Sequence, residues 1–252
     1  MDDVNTKPHK HDGQLIVSSR RLSWSAPFRW LKLGWQDYLN ARKLSMEYGM
    51  FFALCGLVLS VIGVIYSSNI VLFTLAVAFV LLGPLLAFGL YDIPRQLEHG
   101  ETPTLRHSID QIKGSAANQW IFAVVIFVIA LLWMRAATII HVFYPQEADP
   151  SLESLFTFFV IGTGAGAFFA GLVFGISAFS LPMMMDRNVD AISASLSSLS
   201  AVMNNMGVSA LWAFLIFALV AFGFATAFVG LVVVLPVIGY ATWHGYQEAL
   251  LD

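Results

Sequence analysis

WIFAVVIFVIALLWMRAATIIHV, running from Trp120 to Val142, is the stretch whose reading decides the fold. Its only fixed charge is Arg135, and neither glycine nor proline interrupts it. About 20 apolar residues rising 1.5 Å each match the hydrocarbon thickness of a bilayer, where an α-helix can cross with every backbone group bonded internally. Working outward, the same reading applies to Tyr48 to Tyr66, Ile70 to Tyr91, Leu155 to Met183, Ser209 to Phe228 and Val229 to Gln247. The sequence predicts an all-α polytopic bundle with six transmembrane helices.

Composition agrees. Apolar residues make up 58% of the 252-residue chain and charged residues 12%, with a mean hydropathy of +0.75. A soluble domain carries about a quarter charged residues. Six crossings and the helices between them use nearly the whole chain, leaving no room for a separate catalytic domain. The expected organisation is a flexible cytoplasmic tail over residues 1–26 and one membrane domain over residues 27–252. The single cysteine, Cys55, excludes an intramolecular disulfide.

Lysine and arginine set the orientation. They cluster before the first span (Lys7, Lys10, Arg20, Arg21, Arg29, Lys32, Arg42, Lys43), between the second and third (Arg95, Arg106, Lys113) and between the fourth and fifth (Arg187). The alternate connections hold none, and one carries Glu147, Asp149 and Glu153. The positive-inside rule then predicts an inner-membrane protein of bacterial type with both termini cytoplasmic. No cleavable leader is expected, because the first apolar run starts only after a long polar or mixed segment.

The chain also reads as an approximate threefold repeat over residues 27–98, 102–184 and 188–252. Each unit holds an amphipathic helix, an outward span, a turn and an inward span with a proline. The apolar stripes are Phe28, Leu31, Trp35, Tyr38 and Leu39, then Leu105, Ile109 and Ile112, then Val189, Ile192, Leu196, Leu199 and Met203. They are expected to lie along the inner membrane surface. Pro84, Pro182 and Pro236 recur in the inward spans, each removing a backbone donor and freeing the carbonyl four residues earlier, on Val80, Ala178 and Val232. Such carbonyls either shape packing or line a polar site, as in transporters with broken helices.

In the fourth span Gly162/Gly166 and Gly171/Gly175 have GxxxG spacing, which lets helix backbones approach closely. The expectation is a central helix, packed on another span of the same chain or, as the alternative, on a second protomer. After the three prolines, Asp92, Arg95, Asp186, Arg187, Tyr240 and His244 recur at similar distances and suggest a cytoplasmic polar ring, read either as an ion-pair network or as a docking surface. Arg135 and His141 stand toward the outer side, and Arg135 is expected to snorkel to the outer headgroups or to pair with Glu147, Asp149 and Glu153, a gating or substrate role being the lesser alternative. No HExxH, GxSxG, GxxxxGK[ST] or CxxC motif is present. No catalytic residue, metal ligand or cofactor site is expected, since His9 and His11 stand in a polar tail and His141 and His244 fall at opposite faces.

The segments Leu33-Gly34-Trp35-Gln36-Asp37-Tyr38, Leu82-Gly83-Pro84-Leu85-Leu86-Ala87-Phe88-Gly89-Leu90-Tyr91, Ser180-Leu181-Pro182-Met183-Met184-Met185-Asp186-Arg187 and Leu235-Pro236-Val237-Ile238-Gly239-Tyr240-Ala241-Thr242-Trp243-His244 together resemble a bacterial family of predicted integral membrane proteins of unknown function. Some members carry a cytochrome c oxidase label. The resemblance implies a six-helix inner-membrane protein and brings no catalytic residues with it. A haem-copper subunit needs a set of intramembrane histidines that this sequence lacks, so a respiratory link implies an accessory or assembly role. Two function classes follow. One is a non-catalytic scaffold or accessory subunit, whose partners are the lipid bilayer and a membrane complex; the other is a small-molecule or ion transporter with a site near the proline kinks. Nothing points to nucleic acid, and a homo-oligomer has no specific signal.

Overall fold

The computed structural model describes residues 17–66, 87–145, 151–187 and 189–250. Among them every regular element is helical: α1 (Ala26–Asn40), α2 (Arg42–Tyr66), α3 (87–98), α4 (Leu105–Gly114), α5 (Ala116–Val142), α6 (Leu152–Ser177), α7 (Ser180–Asp186), α8 (Ala191–Asn204), α9 (Met206–Ala225) and α10 (Leu231–Leu250). Local chemistry sets the boundaries. The Oγ1 of Thr104, the Oγ of Ser151 and the carboxylate of Asp190 each accept a backbone N–H of the first turn that follows, satisfying donors a helix start leaves open. Pro27 occupies the first turn of α1, where its missing N–H is no loss. The α9–α10 turn puts Ala227 (φ 50°) and Phe228 (φ 70°) in the left-handed region, and Thr226 Oγ1 closes it by accepting from Gly230 N at 2.9 Å.

Four stretches are long and apolar enough to cross a membrane: Arg42–Gly63, Ala116–Val142, Leu152–Asp186 and Met206–Ala225. Their flanks stay largely uncovered by protein, as lipid-facing surface requires. The expected second crossing, Ile70 to Tyr91, lies mostly outside the described residues. The expected sixth coincides with α10, which has spanning length but differs in character. Most of α10 is buried in the bundle, and its last turns carry His244, Gln247 and Glu248.

The core sits at the end of the molecule where lysine and arginine gather. Trp30, Phe88, Phe122, Phe179, Trp212, Tyr240, Trp243 and Tyr246 are fully buried there. Trp30 meets Phe179 and Trp212 edge-on, with ring centroids 6.2 and 5.6 Å apart; such pairs contribute about 0.5–1.5 kcal/mol each beyond burial. α10 is the hub, packed against α1 and α2. Where α1 crosses it, a β-carbon on Gly34 would stand 2.7 Å from Val237 O and Ala241 N; where α2 crosses it, one on Gly49 would overlap Val232 O.

Among the described residues, close backbone packing falls on α10 and not on the glycines of α6. Nothing among the described residues lies within 4 Å of the positions a β-carbon would take on Gly162, Gly166 or Gly171, while Gly175 does meet Leu199. The tail is shorter than residues 1–26. From Val17 onward the chain is a strap bonded to α8 and to the end of α10: Val17 N donates to Ser197 Oγ (3.0 Å), Arg20 N to Ala249 O (3.0 Å) and Leu22 N to Asn205 Oδ1 (2.8 Å). Asn205 Nδ2 returns a bond to Arg20 O at 2.9 Å.

The amphipathic helices leave most of their apolar stripes uncovered and pack on the bundle through other residues. α8 turns Ala191, Ala194, Ser195, Ser197, Ser198 and Ala201 inward and leaves Ile192, Leu196 and Met203 exposed. α4 buries Ser108 and exposes Leu105 and Ile109. α1 buries Trp30, Gly34 and Tyr38, so that Tyr38 leaves the expected stripe, while Phe28, Trp35 and Leu39 face outward. Lipid removes the hydrophobic drive between helices, and small residues that admit close backbone approach then make the better inner face.

Candidate functional site

The polar residues of the basic end are tied together helix by helix. Asp92 on α3 is fully buried, and its Oδ2 receives Gln96 Nε2 (2.6 Å) and Ser108 Oγ (2.8 Å), with His107 Nδ1 also 2.8 Å away. Gln96 Oε1 accepts Thr104 N at 3.1 Å, so this cluster fixes α4 on α3. Burying a carboxylate is costly unless donors replace water, and these partners do so on one oxygen. Among the described residues, Asp92 Oδ1 and Arg95 Nε are buried without a hydrogen-bond partner.

A second cluster radiates from α10. His244 Nε2 lies 2.6 Å from Asp37 Oδ2 on α1, and its Nδ1 lies 3.7 Å from Glu98 Oε1 on α3. Gln247 Nε2 donates to Glu98 Oε2 at 2.7 Å. Ser45 Oγ donates to Ala41 O, which leaves the Tyr240 hydroxyl to donate to Ser45 Oγ at 2.8 Å and join α10 to α2. Tyr246 donates to Asp186 Oδ2 at 2.7 Å and Arg187 Nη2 to Leu250 O at 3.1 Å, joining α7 to α10. Glu248 accepts Trp30 Nε1 at 2.8 Å and pairs with Arg29.

These positions answer the polar-ring expectation. Asp92, Arg95, Asp186, Arg187, Tyr240 and His244 do gather at one end, and all but Arg95 bond through their side chains to other helices of the same chain. Asp92 and Tyr240 are fully buried. These two brace the bundle from inside, Asp92 through Ser108 and Tyr240 through Ser45. Of the ring's partners, Asp37, Ser45, Glu98, His107, Ser108 and Tyr246 carried no periodic signal of their own. They were legible only as polar residues beside spans.

The prolines divide. Pro84 lies outside the described residues. Pro182 sits in the first turn of α7, just after the break at Ala178 and Phe179. There Ser198 of α8 accepts Phe179 N (3.0 Å) and donates to Gly175 O (2.8 Å), so its hydroxyl stands in for the missing helical bond. Pro236 is accommodated inside α10, and the carbonyl it frees, Val232 O, is the one Gly49 packs against. Ser177 and Thr242 donate to their own helices, at Val173 O (2.7 Å) and Ile238 O (2.8 Å).

At the far end Arg135 is exposed, and His141 stacks on Tyr144 at 5.9 Å. A cleft of about 480 Å³ there is lined by Ile140, Phe143, Ser151, Glu153, Thr157 and Phe158 among others, close to residues 146–150, which are not described. Among the described residues no group of three histidine, cysteine or acidic side chains is placed to hold a metal. At the basic end Asp190, which opens α8, has its carboxyl held below the usual range, first by the Ser193 hydroxyl and then by backbone N–H groups.

Residues 72–186, which include α3 through α7, match the family model described as predicted integral membrane protein (DUF2189). Over that segment, 115 of the 252 residues, the chain is similar to this family. The DUF2189 match takes in Asp92, Arg95, Pro84, Pro182 and the glycines of α6, while α1, α9 and α10 lie outside it. No curated protein and no solved structure matches the chain.

Proposed function

We propose that this protein is a non-catalytic scaffold or accessory subunit of a membrane complex, possessing six crossings with both termini on the cytoplasmic side of a bacterial inner membrane. The carrying observation is the fate of Val232 O. A substrate path through the kinks needs that freed carbonyl to face water or ligand, whereas Gly49 covers it at closest approach. The hydroxyls nearest the kinks, on Ser177 and Thr242, are spent on their own helices, and Ser198 is spent on the α6–α7 break. The ionisable residues of α10 brace α1 and α3. Packing throughout this region favours a rigid body over a gated one.

The threefold repeat is supported by a cyclic order of contacts. α1, which opens the first unit, sits on α10 of the third; α4, opening the second, is bonded to α3 of the first; α8, opening the third, sits on α6 and α7 of the second. The test is purification from the native host in mild detergent. A partner recovered in fixed stoichiometry is the expected result. A protein recovered alone, whose melting temperature rises with a small solute or ion, would make transport the function and overturn this reading.

A further inference from the structure

We infer that α1 is an anionic-lipid-binding element, with Phe28, Lys32, Trp35 and Leu39 seated on the headgroup layer and Lys32, Arg42 and Lys43 holding its phosphates. These residues fall at i, i+4, i+7 and i+11, one stripe along the helix, and all four are exposed. Leu39 is 51% exposed and Phe28 55%. The opposite side of α1 is already used, by Trp30, Gly34 and Tyr38 against α10, so the stripe is a second, unpartnered face.

Position and charge commit this face to lipid. Only Ala41 separates α1 from α2, whose candidate span begins at Arg42, so α1 is held at the depth where a bilayer begins. The apolar exposure continues into α2 through Met46 and Met50. Aromatic side chains interleaved with lysine and arginine suit the headgroup level, where the rings sit among acyl carbonyls and the cations meet phosphate. Arg29 and Arg21 are engaged, with Glu248 and Asn204 O, and so are not counted. Lys32, Arg42 and Lys43 make no side-chain hydrogen bond or ion pair among the described residues.

α8 supplies an internal contrast. Its exposed stripe, Ile192, Leu196 and Met203, is equally apolar, but the helix carries no lysine or arginine. Both helices are therefore expected to touch lipid, and only α1 to do so in a charge-dependent way. This goes beyond the scaffold reading and does not rest on it.

The experiment uses the full chain with Cys55→Ser and a single new cysteine at Leu39 or at Leu196, each labelled with an environment-sensitive fluorophore. The protein is reconstituted into vesicles of phosphatidylcholine alone or mixed with phosphatidylglycerol. Quenching is read from aqueous iodide and from brominated acyl chains. Each cation near an anionic leaflet contributes a factor of about five to association. The label at position 39 should therefore lose several-fold of its iodide quenching and gain lipid quenching when phosphatidylglycerol is added. The change should vanish in high salt and in the Lys32→Gln, Arg42→Gln, Lys43→Gln variant, while the label at position 196 stays lipid-quenched in both vesicles. The salt arm needs no variant to fold. A label at 39 that is iodide-accessible in both vesicles, equally protected in both, or unaffected by salt would overturn the proposal. Purification with a protein partner bears on the scaffold reading alone and would leave these outcomes unchanged.

Discussion

A β-carbon on Gly49 has no place to go, because Val232 O occupies it and both atoms belong to backbones that other contacts hold. Gly49→Ala is expected to cost about 1–3 kcal/mol, as overpacking of a closed contact does, and Gly34→Ala a similar amount against Ala241 N and Val237 O. Gly166→Ala, on an open flank among the described residues, should change the melting temperature in detergent far less. Equal losses at all three positions would show that α6 packs on something as closely as α2 packs on α10. A GxxxG spacing announces that close approach is possible, but only the tertiary partner decides where it happens. Gly34 of α1 and the three glycines of α2, Gly49, Gly56 and Gly63, have no GxxxG spacing, so the crossings that hold the molecule were hidden in the sequence. The polar residues were more readable, since charge beside an apolar span marks a bundle end. Their partners were not, because each bond joins residues far apart along the chain. Tyr240→Phe removes one buried bond to Ser45 and should cost about 1 kcal/mol without altering the fold.

Helices of this chain are bound by small polar side chains that work on the backbones of their neighbours. Asn205 ends α8, opens α9 and holds the strap through Leu22 N and Arg20 O, so one amide organises three segments. Asn205→Ala should cost about 1–3 kcal/mol by leaving buried groups unpaired, and should expose residues 17–25 to limited proteolysis. A strap as resistant as in the parent protein would mean that Arg20 N and Val17 N hold it alone. Asp190 adds a pH dependence of known sign. Its carboxyl is held low in the folded state, so its contribution is present above the unfolded carboxylate range and fades as pH falls through the folded value. Asp190→Ala should cost about 1 kcal/mol at neutral pH, like other N-cap losses, and less in acid; the comparison is a pair of melting curves at the two pH values. Periodicity located α1, α4 and α8 correctly, and it marked their apolar stripes. It could not say which residues form the inner face, because Ser108 of α4 and the serines of α8 carry no apolar signal.

Across the whole molecule, hydrogen bonds tie residues 20 to 249, 21 to 204, 37 to 244, 92 to 108 and 187 to 250. Residues just before α2, at both sides of the α3–α4 connection, between α7 and α8, before α9 and at the end of α10 therefore lie at one end. The chain leaves that end along α2 and is back by α3, leaves along α5 and is back by α7, and leaves along α9 and is back by the end of α10. Lysine and arginine at the connections belong to this same end, which is the cytoplasmic one in the orientation proposed above. Reporter fusions at Lys43, Arg106 and Asp252 are accordingly expected to read cytoplasm, and one at Glu147 the opposite compartment. The pairs are independent tests. Lys43 and Arg106 on opposite sides would mean that the segment from Ile70 to Tyr91 does not return the chain across the bilayer. Asp252 opposite to Lys43 would contradict the bond between Arg20 and Ala249, and with it the placement of α10 as the helix around which the others pack.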